Sequence, residues 1–289
     1  MHYRHSFHAG NFADVHKHIA LLQLIEALQR KAKGFLYLET HAGEGLYDLS
    51  GREARAVAES DRGIARLGQQ APLSGEAHPA ISHYLRAVER IRAAHGNGAH
   101  LYPGSPLLAA AQLREADQAL CVESQPHTAR ALQRAFDHNA TVLGANPRVV
   151  TGDGYQEVRS RLPPAQRRGL TLIDPPYESA DEEQQVAAAL TAGLERFETG
   201  VFAVWYPIKK QHDSDLWLAR VTRGIERPTL AAELCVSLPD HAAGLNGSGM
   251  LVVNPPWQFD DDAERWQAEL HELLGGGAGS TVRWLVHEQ

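Results

Sequence analysis

Two short stretches join an apolar run to a polar residue, two prolines and an aromatic ring. They are Leu172-Ile-Asp-Pro-Pro-Tyr-Glu178 and Val252-Val-Asn-Pro-Pro-Trp-Gln258. Each can end a strand and set a polar side chain beside a flat ring, but only the first offers an ionisable group, Asp174. Other apolar runs also end in reactive residues. Phe35 to Thr40 leads into His41-Ala42-Gly43-Glu44-Gly45, Ala119 to Val122 into Glu123, and Arg148 to Thr151 into Gly152-Asp153-Gly154. Glycines after the first run let a ligand approach the backbone closely. An acid after the second can accept both hydroxyls of a ribose, and one after the third can accept an exocyclic amino group. Together these pieces describe a nucleoside-bearing cofactor lying across a sheet edge. The glycine loop lacks full G-x-G-x-x-G spacing, which disfavours a phosphate grip.

Strands alternating with helices position these residues. Apolar positions from Asp14 to Arg30 recur at helical spacing, and a helix is expected near Pro126 to Asn139. Further strands are expected at Gly169–Ile173, Val201–Trp205, Leu230–Leu238 and Gly249–Val253, and Gly275 to Ser280 reads as a turn. The pattern predicts an α/β, doubly wound, mostly parallel sheet. Residues 48–100 are rich in Ala, Arg and Glu with no convincing strand, and read as a helical insertion. The expected organisation is therefore 1–47 (N-terminal segment and first part of the core), 48–100 (insertion subdomain) and 101–289 (remainder of the core).

Bulk properties narrow the functions. With 28 basic against 35 acidic side chains, the net charge of -7 excludes coating of nucleic acid by general attraction. Nucleic-acid contact must come from local patches, such as the first 34 residues or Arg159, Arg161, Arg167 and Arg168. Those patches have an alternative reading as solvated surface. Cys121 and Cys235 lie in apolar runs and read as buried free thiols, which suits a reducing cytoplasm. No apolar run nears the length of a membrane span, and no signal peptide is expected. His2, His5, His8, His16 and His18 crowd the N-terminus, but no spacing completes a metal site. Glu123 and Asp153 have a plainer reading as helix N-caps, and Asp-Pro-Pro can simply stop a strand.

The order of strand ends resembles class I S-adenosylmethionine-dependent methyltransferases, and Asp174-Pro175-Pro176-Tyr177 resembles the motif of those that methylate exocyclic amino groups. More of the chain carries a narrower resemblance: Tyr3-Arg-His-Ser-Phe-His-Ala-Gly-Asn11, Lys17-His18, Thr40-His-Ala-Gly43, Tyr102-Pro-Gly-Ser-Pro-Leu107, Asp153-Gly154 and Trp205-Tyr-Pro207. These look like the ribosomal RNA large subunit methyltransferase J family, which methylates N6 of one adenine in 23S ribosomal RNA. The resemblance implies a Rossmann-like core of seven strands, the last antiparallel, with a helical insertion. It implies Asp174, Pro175 and Tyr177 at the reacting amino group, and His18, His41, Ser105, Glu123, Asp153, Gly154 and Asp174 around S-adenosylmethionine. It implies that Tyr3 touches the RNA, with Arg4 beside it and Tyr177 stacking on the base. The expected partner is 23S ribosomal RNA and the expected state a monomer. Methylation of DNA adenine, of another RNA or of a protein glutamine, and a non-catalytic RNA-binding assembly factor, remain as alternatives. In the twin motif, Asn254 is expected at the opposite sheet edge, with Trp257 covering the bottom of the core.

Overall fold

A computed structural model describes residues 5–71, 77–96, 98–237 and 244–287. The chain runs α1 (Phe12–Gln29), β1 (Leu36–Glu39), β2 (Leu46–Asp48), α2 (Arg52–Val57), α3 (Ile64–Gln70), α4 (Pro79–Ala93), β3 (Leu101–Pro103) and α5 (Ser105–Gln112). It continues through β4 (Gln118–Glu123), α6 (Pro126–His138), β5 (Arg148–Thr151), α7 (Gly154–Arg161), β6 (Gly169–Ile173) and α8 (Glu182–Arg196). The last part holds β7 (Val201–Ile208), α9 (Gln211–Val221), β8 (Thr229–Cys235), β9 (Gly247–Val253), α10 (Phe259–Leu273) and β10 (Gly279–Val286).

The large sheet has the order β10-β8-β9-β7-β6-β1-β4-β5. The block from β7 to β5 is parallel throughout. Strand β9 inserts antiparallel between β7 and β8, and β10 pairs antiparallel with β8 at the rim. Side chains alternate between the two faces, as a doubly covered sheet requires. Tyr37, Leu170 and Leu172 meet α1, α4, α5, α6 and α10 on one face. Leu38, Ile173 and Phe202 meet α7, α8 and α9 on the other.

The sheet has eight strands where seven are expected. The extra one is β10, which follows the glycine turn. It is half-buried along its length, so burial imposes little of the alternation that marks an inner strand. The stretch that reads as strandless is bracketed by β2 and β3, which pair antiparallel as a separate two-stranded sheet. Helix α1 is buried on all sides from Phe12 to Leu22 rather than on one stripe, because it packs at once on α4, α5, α10 and β9. Trp257 does not cover the core. It is 76% exposed, since the turn after β9 carries it outward. Cys121 and Cys235 are buried free thiols. Among the described residues, no helix is long and apolar enough to cross a membrane, and no group of three or more His, Cys, Asp or Glu could hold a metal ion.

Candidate active site

Strand β1 lies between β6 and β4, and the chain leaves it in opposite directions on the two sides. A sheet of this kind opens a crevice at the carboxyl ends of the two strands where the winding reverses. Thr40 leaves β1 there, its amide donating to the Leu172 carbonyl at 3.0 Å. Asp174 leaves β6 on the other lip. Pro175 and Pro176 have no N–H, so strand pairing stops. Tyr177 then takes a left-handed backbone, φ 52°, which is costly for an aromatic residue. Its hydroxyl donates to the Trp205 carbonyl at 2.6 Å. Its ring meets Trp205 and Trp217 edge-on, at 5.8 and 6.0 Å between centroids.

Asp174 does not stand alone. Lys17 Nζ lies 2.7 Å from its Oδ2 and 2.9 Å from Asp14 Oδ1, and the Lys17 and Asp174 side chains are 5% and 13% exposed. Asp14 is fixed in turn by the Gly10 amide and by His5 Nε2, 3.0 and 2.9 Å from its Oδ2. Asn11 starts α1 by capping the Asp14 amide, which sets Asp14 and Lys17 one turn apart on the crevice side. Burial pulls the Lys17 ammonium down, but the two carboxylates outweigh it and hold its pKa well above the usual lysine value. Burial also acts against the Asp14 carboxylate, yet His5 and Lys17 keep its pKa well below the usual range. Asp174 Oδ1 has no hydrogen-bond partner among the described residues. Lys17 reads in the sequence as one more basic N-terminal residue. The available signal was an Asp–Lys pair at i,i+3 inside a mostly apolar helix.

The other expected site residues gather along the same edge. Glu123 Oε2 accepts from the Gly43 amide at 3.0 Å and Oε1 from the Gln125 amide at 2.8 Å, which ties the glycine loop to the end of β4. Asp153 Oδ1 caps α7 through the Tyr155 and Gln156 amides, leaving Oδ2 open. Gly154 is buried where β1 ends, and a Cβ there would sit 2.1 Å from the Thr40 carbonyl oxygen. The His41 ring stands edge-on to Tyr155 at 5.0 Å, and burial lowers its pKa to about 4. His18 is buried, with Nδ1 2.9 Å from the Tyr102 hydroxyl and Nε2 unpartnered. Burial lowers its pKa to about 3. Ser105, at the start of α5, donates to Glu39 Oε1 at 2.5 Å, and the Tyr37 hydroxyl donates to Oε2 at 2.8 Å. Glu39 is fully buried and burial raises its carboxyl to about 8. Its signal in the sequence was an acid closing an apolar run, at the last position of β1. Tyr3 and Arg4 lie outside the described residues.

Asn254 follows β9, which runs against β7, so it emerges at the opposite edge from Asp174. Its Nδ2 donates to the Glu198 and Gly200 carbonyls, both at 2.8 Å. The twin motif is thus a staple beneath the sheet.

A parallel block that reverses its winding beside β1, with an antiparallel strand beyond β7 and an Asp-Pro-Pro-Tyr loop on the crevice, is a Rossmann-like class I methyltransferase fold. The family model described as ribosomal RNA large subunit methyltransferase D, RlmJ, matches residues 32–286. Two proteins named ribosomal RNA large subunit methyltransferase J are similar over 99% of both chains. The one from Haemophilus influenzae is 40% identical and the one from Escherichia coli 39%. A crystal structure of a protein from Legionella pneumophila superposes with a TM-score of 0.84 at 29% identity, covering 98% of this chain and 99% of that one. The chain belongs to the ribosomal RNA large subunit methyltransferase J family.

Proposed function

We propose that this protein transfers a methyl group from S-adenosylmethionine to the N6 amino group of one adenine in 23S ribosomal RNA, acting as a monomer in the cytoplasm. The carrying observation is the Asp174 carboxylate at the switch-point crevice, one oxygen held by Lys17 and the other open. Family membership supports the RNA substrate.

The residues fit the cofactor. The His18 Nε2 atom is buried and unpartnered, the second Asp153 oxygen is open, and Gly154 keeps a side chain out of the junction with β1. Glu123 shapes the glycine loop and retains acceptor capacity for ribose hydroxyls, since a carboxylate offers about four lone-pair sites. Ser105 and His41 complete the lining. When bound, S-adenosylmethionine supplies an electrophilic sulfonium methyl.

The protein's own work is on the base. An adenine amino group is a poor nucleophile because its lone pair is delocalised into the ring. Asp174 Oδ1 and the Pro175 carbonyl accept its two N–H bonds and draw the nitrogen toward tetrahedral geometry. That aims the lone pair for in-line displacement, so positioning and electrostatics carry the rate. Lys17 holds Asp174 in one rotamer through its 2.7 Å contact with Oδ2. Asp174 Oδ1 then takes the proton that the methylated nitrogen sheds. Tyr177 stacks on the base, worth about 1–3 kcal/mol. A base within a helix cannot reach this ring, so the adenine enters flipped out or unpaired, with Tyr3 and Arg4 contributing from the N-terminal side.

Mass mapping of methylated adenines in 23S RNA, from cells with and without this protein, tests the reading. One N6-methyladenine should vanish in the deletion and return with the wild-type gene. An unchanged map would refute it.

A further inference from the structure

Behind the crevice a hydrogen-bond chain crosses the molecule from α10 to β7. Gln267 Nε2 donates to the Ala263 carbonyl at 3.3 Å, and its Oε1 lies 2.7 Å from His16 Nε2. His16 Nδ1 lies 2.9 Å from Ser248 Oγ, and Trp205 Nε1 donates to that same oxygen at 2.9 Å. Gln267, His16 and Ser248 are each 0% exposed.

The proton order follows from the ends. Gln267 turns its amide nitrogen to the Ala263 carbonyl, so its oxygen faces His16 and His16 Nε2 carries the proton. His16 Nδ1 is then an acceptor, and the single Ser248 hydroxyl proton must go to it. That leaves a Ser248 lone pair for the Trp205 N–H, so each atom along the chain from Gln267 Oε1 to Trp205 Nε1 has a partner. The order requires a neutral imidazole, and burial lowers the His16 pKa to about 4.

Trp205 is where the chain meets the chemistry. Its ring lies 5.8 Å from Lys17 Nζ, and its carbonyl accepts the Tyr177 hydroxyl. The indole thus stands beside Lys17, the partner of Asp174, and edge-on to the Tyr177 ring at 5.8 Å between centroids. We propose that Ser248 and His16 are positioning residues for methyl transfer, which hold the Trp205 indole in the rotamer that aligns Lys17, Asp174 and Tyr177. The inference rests on the proposed function for its kinetic consequence, but not for its structural one.

Without the Ser248 hydroxyl, the Trp205 N–H and His16 Nδ1 both lose their partner inside the protein, which is unfavourable. The indole relieves this by turning its N–H toward water in the crevice. Nitrogen-15 labelling of tryptophan, with the Trp205 signal assigned through Trp205→Phe, reads this directly. Ser248→Ala should raise solvent exchange of the Trp205 indole proton by about tenfold or more. It should lower kcat about five- to tenfold with cofactor affinity unchanged, as expected when alignment in the transition state is lost. In the Trp205→Phe background the same change should cost less than about twofold, because groups acting through one another are not additive. Ser248→Cys, nearly isosteric and a weaker hydrogen-bonding group, should shift exchange and kcat in the same direction by less, and it replaces Ser248→Ala if that variant does not fold. Unchanged indole exchange, or fully additive kinetic losses in the double variant, would overturn the proposal. A wild-type protein inert on 23S RNA would sink the functional reading instead, while indole exchange still judges the chain.

Discussion

Lys17 Nζ stands 2.7 Å from Asp174 Oδ2 although the two residues are 157 positions apart. The acid of the Asp-Pro-Pro-Tyr loop is one half of a buried ion pair whose other half arrives on the first helix. Asp174→Ala should abolish methylation and leave cofactor affinity within about twofold, because in the proposed mechanism the open oxygen serves the base rather than the cofactor. Lys17→Met should also cut kcat steeply, and it should destabilise the fold by about 3–5 kcal/mol, since the mostly buried Asp174 then loses its counter-charge and Asp14 keeps only His5. Single-turnover methylation, cofactor titration and denaturant melts separate these effects. An active Asp174→Ala protein would remove this residue from the mechanism.

Glu123 anchors the glycine loop and is the proposed partner of the cofactor ribose. Glu123→Ala should weaken S-adenosylmethionine binding by about 1.5–3 kcal/mol, the scale of hydrogen bonds to a charged group. Glu123→Gln keeps one acceptor oxygen and should lose less. Titration calorimetry giving equal affinity for all three proteins would leave Glu123 only its role in tying Gly43 and Gln125.

Asn254 offers the control for the twin motif. It sits at φ 53° and its amide bridges two carbonyls before β7. Asn254→Ala removes both hydrogen bonds and puts alanine in a left-handed conformation, a loss of about 2–3 kcal/mol. The catalytic rate of the folded variant should match wild type. A large rate loss at undiminished stability would mean that the lower edge also takes part in the chemistry.

Acidity should act on the fold through buried groups of opposite sense. Burial lowers His16 and His41 to about 4 and His18 to about 3, from 6.5. Between those values and 6.5 the unfolded chain binds more protons, so stability rises with pH and is lost as pH falls through that window. Glu39 works the other way: raised from 4.5 to about 8, it binds its proton more tightly when folded, and its contribution fades as pH climbs from 4.5 to 8. Below 6.5 three imidazoles outweigh one carboxyl, and above it Glu39 acts without them. The Tm should therefore peak near pH 6.5, with the steeper fall on the acid side. Glu39→Gln should flatten the alkaline decline, and a scanning-calorimetry series in which that variant falls as wild type does would reassign the slope.

Local pattern alone disclosed much of the molecule. Apolar runs ending in glycine, acid or proline marked the inner parallel strands, because strands buried on both faces must be continuously apolar and their ends must be polar. The order of those ends marked the crevice, and Asp174, Glu123, Asp153 and Gly154 all stand on it. The rim strand β10 escaped, since half-burial imposes no clear period. Pairings between distant elements were beyond reach. Lys17 with Asp174 spans 157 residues, and His16 with Ser248 and Gln267 spans 232 and 251. No spacing rule governs such contacts, which exist only because α1 is packed between the sheet and α10. The strand directions that separate the two Pro-Pro motifs, expected from the fold class, are realised only in the tertiary structure. Both end apolar strands, but β6 and β9 run in opposite directions, so similar local sequences arrive at opposite edges of one sheet.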